Sequence, residues 1–441
     1  MQTKPTKLEI PCCSGPVVGT IRPPGSKSIT NRALVCAALA DGTSQLTGAL
    51  DSQDTQVMVR GLEALGIVLD ADWKRGHVHV HGCGGNIPAT SANINCAASG
   101  TTIRFLSAVC GLAKGVYQLD GTPRMRKRPI GDLVMAMQQL GVNADTRSEG
   151  GCPPIVIHSS GCTGGVAQVA GNISSQFASG LAMVGPCTRD GLTIEFTGTL
   201  VSLPYLEMTK LVMQSFGGHC DSTRTHTWRI NPTGYQGIEY AIEPDASAAS
   251  YFVAAAAMTG GRVRIEGLGR SSMQGDVNFC DVLEKMGCSV DWHESPHPGV
   301  TVSGRATHGI DIDMNAISDT VPTLAVVALF ASEPTHIKNV AHIRDKETDR
   351  IRDLATELRK LGAKVTEHPD GLTIYPSPLH KATIQTYDDH RMAMSLSLVG
   401  LCVEGVDIID PSCVAKTFPD YWNRLSDIAH IDLSAYSSKT T

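Results

Sequence analysis

The 441-residue chain has no Cys-x-x-Cys pair among its 14 cysteines, few aromatic residues (5%), and no apolar run of membrane-spanning length. Its cysteines are scattered through apolar stretches, as at Cys36, Cys110, Cys280 and Cys402. That is the pattern of reduced, buried thiols and not of a disulfide framework. The scarcity of aromatics leaves no stacking series for single-stranded nucleic acid. A formal charge of −6 and a pI of about 6.2 give no cationic footprint for nucleic acid or an anionic membrane surface. The first nine residues carry Lys4 and Lys7 but no apolar core of signal-peptide length. These absences lead to the expectation of a cytoplasmic protein that binds neither membrane nor nucleic acid, in which any anion site is a local gathering of cations.

What the chain does have is a period. Stretches of small, polar and charged residues open helical patterns at Ser26, Gly100, Ser174, Asp245, Asp319 and Asp388, at intervals of 74, 74, 71, 74 and 69 residues. A fixed period implies one supersecondary unit used repeatedly. The residues with usable chemistry recur at one place in it, a helix N-terminus, where unpaired N–H groups and the helix dipole favour anions. The first helix of each unit reads as amphipathic, as in Ile103, Leu106, Val109, Cys110 and Ala113. A strand follows (116–119 in the second unit), then a second helix ending at a hydrophobic-Gly step: Leu65-Gly66, Leu140-Gly141, Phe216-Gly217, Met286-Gly287 and Leu361-Gly362. Gly there suits a left-handed C-terminal cap. β-rich pieces at 77–81, 154–158, 227–230, 299–303 and 372–375 complete a βαβαββ unit.

Six units split three and three, because one core rarely grows past roughly 250–300 residues. The expected domains are 26–241, and 1–25 with 242–430, followed by a polar, frayed tail over 431–441. Ser52 and Asp54, ahead of a second helix, read as capping residues. His77, His79 and His81 alternate along one edge or exposed strand, without zinc-ligand spacing, so no metal site is expected.

Several constellations carry chemistry. Gly25 to Arg32 (GSKSITNR) places a Gly turn, three hydroxyls, Lys27 and Arg32 at one helix start; it is not a Walker A loop, so ATP does not follow. Ser174-Ser175-Gln176 repeats the arrangement with neutral donors, and Arg124 to Arg128 holds four cations in five residues. In the second half the same positions hold acids beside cations: Asp319, Lys346-Glu347-Thr348-Asp349-Arg350, Asp388-Asp389-His390-Arg391 and Lys416. Cations that hold a polyanion, with acids close by to move protons, need this mixture.

With these stretches, and with Pro123 to Pro129, Met273-Gln274-Gly275-Asp276, Asp345 to Arg350, Asp389 to Met394 and Ala415 to Asp420, the chain resembles the 5-enolpyruvylshikimate 3-phosphate synthases over nearly its whole length. The resemblance implies a two-domain inside-out α/β barrel of six βαβαββ repeats, three per domain, closing around two substrates. It implies that Lys27, Ser28, Arg32, Ser174, Ser175, Gln176, Ser202, Tyr205, Asp319 and Lys346 contact shikimate 3-phosphate. Lys27, Gly100, Arg128, Gln176, Arg350, Arg391 and Lys416 correspond to contacts of phosphoenolpyruvate. Ala98 and Phe105 stand where better-known members have Asn and Pro, and His342 stands where many have Asn.

The implied reaction moves an enolpyruvyl group to a hydroxyl by addition and elimination. Asp319 is expected at the 5-hydroxyl, Glu347 with Lys346 at the carbon proton, and Lys27 among the catalytic groups, with no metal or organic cofactor and a monomeric chain. The sibling transferase acting on UDP-N-acetylglucosamine would show Asn after the first-motif lysine and a loop cysteine; here Ser28 follows Lys27 and the loop offers arginines. RNA 3'-terminal phosphate cyclases, built from similar units, fit poorly with the acidic pI.

Overall fold

Each period of the sequence is one folding unit. In the second, the strand Ser91–Asn95, the helix Gly100–Leu112, the strand Lys114–Asp120, the helix Gly131–Gln139 and the strands Asn143–Ser148 and Cys152–Ser160 follow in order. The first strand lies parallel to the second, and the last is inserted antiparallel between the second and third. The computed structural model describes residues 6–148, 150–224 and 226–437. Among these, five four-stranded sheets and one of three strands repeat this theme. The chain divides into one unit of residues 25–243 and another formed by the segment before residue 25 together with residues 244 onward.

Each unit is closed by strands distant in sequence. Glu239–Ala241 lies parallel to Thr43–Thr47. In the other unit Val18–Ile21 lies parallel to Arg262–Glu266, and Lys7–Ile10 runs antiparallel to Val406–Ile409.

The first helices differ from the amphipathic form expected. Ala246–Thr259, Val321–Ala328 and His390–Gly400 are buried on every side. The three pack against one another with the sheets outside them, so no face is left for water. Hydroxyls link the three: Ser250 Oγ lies 3.2 Å from Thr323 Oγ1, which lies 3.2 Å from Ser395 Oγ, one hydroxyl from each helix. The second helices are the amphipathic ones, as in Arg350–Lys360, where Ile351, Leu354, Ala355 and Leu358 face inward and Arg352 and Arg359 do not. The five Gly residues after these helices, Gly66, Gly141, Gly217, Gly287 and Gly362, have φ between 81° and 106°, a conformation that glycine adopts without steric cost.

Other expectations are corrected in detail. The helix after Asp319 starts at Val321, with Asp319 itself in the 3-10 turn Asn315–Thr320, and the last first-helix is capped by Asp389 rather than Asp388. Residues 431–437 are not frayed: Ile431, Leu433 and Tyr436 are buried, and Tyr436 meets the Trp422 ring edge-on, while 438–441 lie outside the described residues. Cys36, Cys110 and Cys280 are buried free thiols, but Cys402 is exposed because it follows the end of its helix. The His77–His81 strand is interior to its sheet and buries Val78 and Val80 on the face opposite the histidines.

Ser52 accepts from the Thr55 N–H while Thr55 Oγ1 accepts from the Ser52 N–H, a reciprocal cap. Ser52→Ala removes it and should lower the unfolding free energy by about 1 kcal/mol, read as a shifted midpoint in urea.

Candidate active site

In the unit of residues 25–243 the helix Lys27–Leu39 begins at Ser26, whose hydroxyl accepts from the Ile29 N–H. Lys27 Nζ lies 3.5 Å from Asp54 Oδ2, so the residue expected only to cap the second helix also faces this lysine. One turn on, Arg32 is buried: Nε donates to Thr209 Oγ1 (2.7 Å), Nη1 to the Ser28 carbonyl (2.9 Å), and Nη2 to Ser179 Oγ and the Tyr205 carbonyl. Its guanidinium also sits over the Phe105 ring. Among the described residues no carboxylate pairs with it. Burial pushes its pKa down to about 10 against the opposing influence of Tyr205 and Cys36, so a buried charge persists at neutral pH with neutral partners only. Such a charge favours an incoming anion.

Of the basic run, only Arg128 is buried; Arg124, Arg126 and Lys127 are exposed, and Arg126 is paired with Asp120. The Arg128 guanidinium lies directly over Gly100, the first residue of the next buried helix. A Cβ at position 100 would come within 2.7 Å of Arg128 Nη1. Ser174 caps the helix Ser175–Val184 by accepting from the Gln176 N–H, and Ser175 is half-buried beside it. Gln176 is tied across to the neighbouring helix, its Oε1 accepting from Arg104 Nη1 (2.5 Å) and its Nε2 donating to Thr101 Oγ1 (3.2 Å). Ser202 is buried in a left-handed conformation (φ 54°) just before the helix that carries Tyr205.

The other unit assembles the acids and the remaining cations. Arg350, 1% exposed, is gripped bidentately by Asp389, itself 0% exposed, with Nε to Oδ2 at 2.8 Å and Nη2 to Oδ1 at 3.2 Å. Its Nη1 donates to Asp319 Oδ1 and its Nη2 to Glu347 Oε2, both at 3.0 Å. The second oxygen of Asp319 accepts from Arg391 Nη2 (2.8 Å), and the second oxygen of Glu347 accepts from Lys416 Nζ (2.6 Å). Burial alone would favour neutral Arg350, but Asp389, Glu347 and Asp319 raise its pKa above the ordinary arginine value. Lys346 is half-buried next to Glu347.

Two further groups join this cluster. Asp276 hydrogen-bonds the Ser247 hydroxyl; burial and then the Asp319 charge push its pKa up to about 6. His342 Nε2 lies 2.9 Å from Ser318 Oγ, and burial followed by the Lys346 ammonium pushes the imidazole down to about 4, leaving it neutral at pH 7. Among the described residues no group of three His, Cys, Asp or Glu is arranged to hold a metal, and no helix is long and apolar enough to cross a membrane.

Residues 13–425 match the family model of EPSP synthase (3-phosphoshikimate 1-carboxyvinyltransferase). The chain is 46% identical over 422 residues to the 3-phosphoshikimate 1-carboxyvinyltransferase of Nostoc punctiforme, covering 95% of this chain and 98% of that one. The chain belongs to the EPSP synthase family. The Thiobacillus denitrificans member is likewise 46% identical, over 93% of this chain and 97% of its own. The fold matches EPSP synthase from Acinetobacter baumannii with a TM-score of 0.80 at 24% identity, covering 97% and 98% of the two chains. It also matches the enolpyruvyl transferase NikO of Streptomyces tendae, with a TM-score of 0.73 at 17% identity over 96% and 97%.

The residues that the sequence singled out fall into two sets, one in each unit. Lys27, Ser28, Arg32, Gly100, Arg128, Ser174, Ser175, Gln176, Ser202 and Tyr205 belong to the first unit, and Asp319, Lys346, Glu347, Arg350, Arg391 and Lys416 to the second. Sequence reading missed Asp389 as the clamp on Arg350, and Arg104, Asp276 and Ser247 as partners of site residues. The signal for Asp276 lay in the specific Met273 to Asp276 stretch; nothing in the residue pattern around Arg104 set it apart from other helix arginines.

The folded His342 imidazole binds its proton less tightly than an unfolded one. Its contribution to stability is thus complete above the unfolded pKa near 6.5 and is lost as pH falls toward about 4. Between pH 7 and 4 the native chain should lose on the order of 2–3 kcal/mol more than His342→Asn, measured by urea titration of both at the two pH values.

Proposed function

We propose that these two sets of residues bind the substrates and move the protons of the family's reaction. That reaction transfers the enolpyruvyl (carboxyvinyl) group of phosphoenolpyruvate to the 5-hydroxyl of shikimate 3-phosphate with release of phosphate, and this chain catalyses it. Protonation of the vinyl carbon makes the adjacent carbon cationic, and the hydroxyl oxygen attacks it. The tetrahedral adduct then loses a proton from the new methyl group and expels phosphate. The reading includes a monomer acting in the cytoplasm on two small metabolites.

In this assignment Arg32, Lys27, Ser28, Ser174, Ser175, Gln176, Ser202 and Tyr205 hold shikimate 3-phosphate, aided by Asp319 and Lys346. The phosphoenolpyruvate contacts are Lys27, Gly100, Arg128 and Gln176 of the first unit, and Arg350, Arg391 and Lys416 of the second. The observation that carries the reading is the pairing of both candidate proton carriers with candidate substrate cations: Asp319 with Arg350 and Arg391, Glu347 with Arg350 and Lys416. A substrate carboxylate or phosphate competes for those cations. As it takes their charge, Asp319 becomes a stronger base toward the 5-hydroxyl, and Glu347, with Lys346 beside it, gains the proton affinity needed to serve the vinyl carbon. Arginines suit this role because a planar fork can hold two oxygens at once.

Purified protein mixed with phosphoenolpyruvate and shikimate 3-phosphate should release inorganic phosphate, and should release none with UDP-N-acetylglucosamine as the acceptor. Asp319→Asn, which keeps the shape but not the charge, should lower kcat by roughly 100-fold or more with a smaller change in KM for shikimate 3-phosphate; normal turnover would overturn the assignment. Gly100→Ala forces the Arg128 guanidinium to move. It should raise KM for phosphoenolpyruvate by roughly tenfold, the loss of one charge-assisted bond, read from steady-state kinetics in each substrate.

A further inference from the structure

Besides Arg350 and Asp353, the helix Arg350–Lys360 buries a third charged residue, one that the reaction does not use. Glu357 is 0% exposed and lies on the same side as Leu354 and Leu358, where an apolar residue would be expected. Its carboxylate accepts from Lys360 Nζ through both oxygens (2.8 and 2.9 Å), from the Tyr387 hydroxyl at Oε1 (2.5 Å) and from the Gln385 N–H at Oε2 (3.0 Å). Two of these donors belong to the turn that leads into the helix carrying Asp389 and Arg391.

That turn is held in an unfavourable conformation. Tyr387 and Asp388 are consecutive non-glycine residues with φ of 55°, each in the left-handed region that side chains disfavour. Such strain persists only where surrounding contacts over-determine it. Thr386 Oγ1 donates to the Ile409 carbonyl (3.1 Å), and the Asp389 N–H donates to the Thr386 carbonyl (2.8 Å). Two further ties, from the Gln385 N–H and the Tyr387 hydroxyl, run to Glu357. At the far end of the turn Asp389 grips Arg350, seven residues before Glu357 on the same helix, or about 10 Å along its axis. The Asp389 carboxylate also accepts from the Arg391 N–H (2.9 Å), so the same group fixes the start of the helix from which Arg391 reaches Asp319.

The geometry points to Glu357 as a positioning residue that sets where Arg391 and Asp389 stand by holding the 385–388 turn against the helix that carries Arg350. It touches no substrate. Its effect passes through Tyr387 and Gln385 to the helix start, and it rests on the reading that Arg350 and Arg391 bind phosphoenolpyruvate. Glu357→Gln keeps the volume but turns an amide nitrogen toward one of the donors. Tyr387→Phe removes a single donor and leaves the carboxylate paired with Lys360 and Gln385.

The test is steady-state kinetics of the full chain in both substrates, with circular dichroism and urea titration as checks of folding. Glu357→Gln should raise KM for phosphoenolpyruvate by roughly tenfold and Tyr387→Phe by about threefold. KM for shikimate 3-phosphate should stay within about twofold in both variants. The double variant should be no worse than Glu357→Gln alone, because both changes break the same contact. Arg391→Lys serves as the reference. If it leaves KM for phosphoenolpyruvate unchanged, the substrate assignment falls and this inference with it. If Arg391→Lys raises that KM while folded Glu357→Gln and Tyr387→Phe do not, or if they lower kcat alone in step with lost stability, the positioning role is wrong. Should Glu357→Gln fail to fold, Tyr387→Phe decides between the same outcomes.

Discussion

A guanidinium that is almost completely enclosed needs its charge answered from several directions, and Arg350 receives that answer from three carboxylates on three separate segments. Removing ions from water costs several kcal/mol apiece, a cost offset only when geometry and hydrogen bonds are nearly complete. The arrangement around Arg350 meets that condition with a bidentate clamp on one side and single bonds on the other two. Asp319, Glu347 and Asp389 therefore cannot be moved independently. Their far oxygens extend the network to Arg391 and Lys416, so the groups able to carry protons and those able to hold anions are set by one common constraint.

The architecture makes such a cluster possible. Helices buried on all sides normally carry only apolar residues, yet here their first turns emerge together at one end of a three-helix core. Asp245, Asp389 and the 3-10 turn holding Asp319 belong to successive repeats of one unit; Ser26, Ser99 and Ser174 occupy the matching positions of the other. Repetition turns one local device, a helix start rich in donors, into several that converge. The chemistry then differs between units only through which side chains occupy those starts: hydroxyls and cations in one, acids and cations in the other.

Much of this was legible in the sequence because its causes are local. The periodic helix openings, the Gly caps and the β-rich pieces each follow from short-range rules, and the family resemblance named the cations and acids directly. What escaped depends on distant packing. The first helices were read as amphipathic because small residues such as Ala254 to Ala257 dilute any pattern; only three-helix packing shows that every side is covered. Asp389 was read among the acids set beside cations, but its clamp on Arg350, 39 residues away in sequence, follows only from packing. Asp54 was read as a cap and also faces Lys27. The tail looked frayed because its composition is polar, although three well-spaced apolar residues suffice to hold residues 431–437 down.

The way the sheets close has a consequence for synthesis on the ribosome. Strand Lys7–Ile10 pairs with Val406–Ile409, and Val18–Ile21 pairs with Arg262–Glu266. Residues 25–243 can complete their own sheets, including the closing strand Glu239–Ala241, while the chain is still being made. Strand Lys7–Ile10 is thus made long before its partner strand. At roughly 5–20 residues per second, about 400 further residues keep its edge open for some 20–80 s, an interval in which an unpaired strand is exposed to other nascent chains.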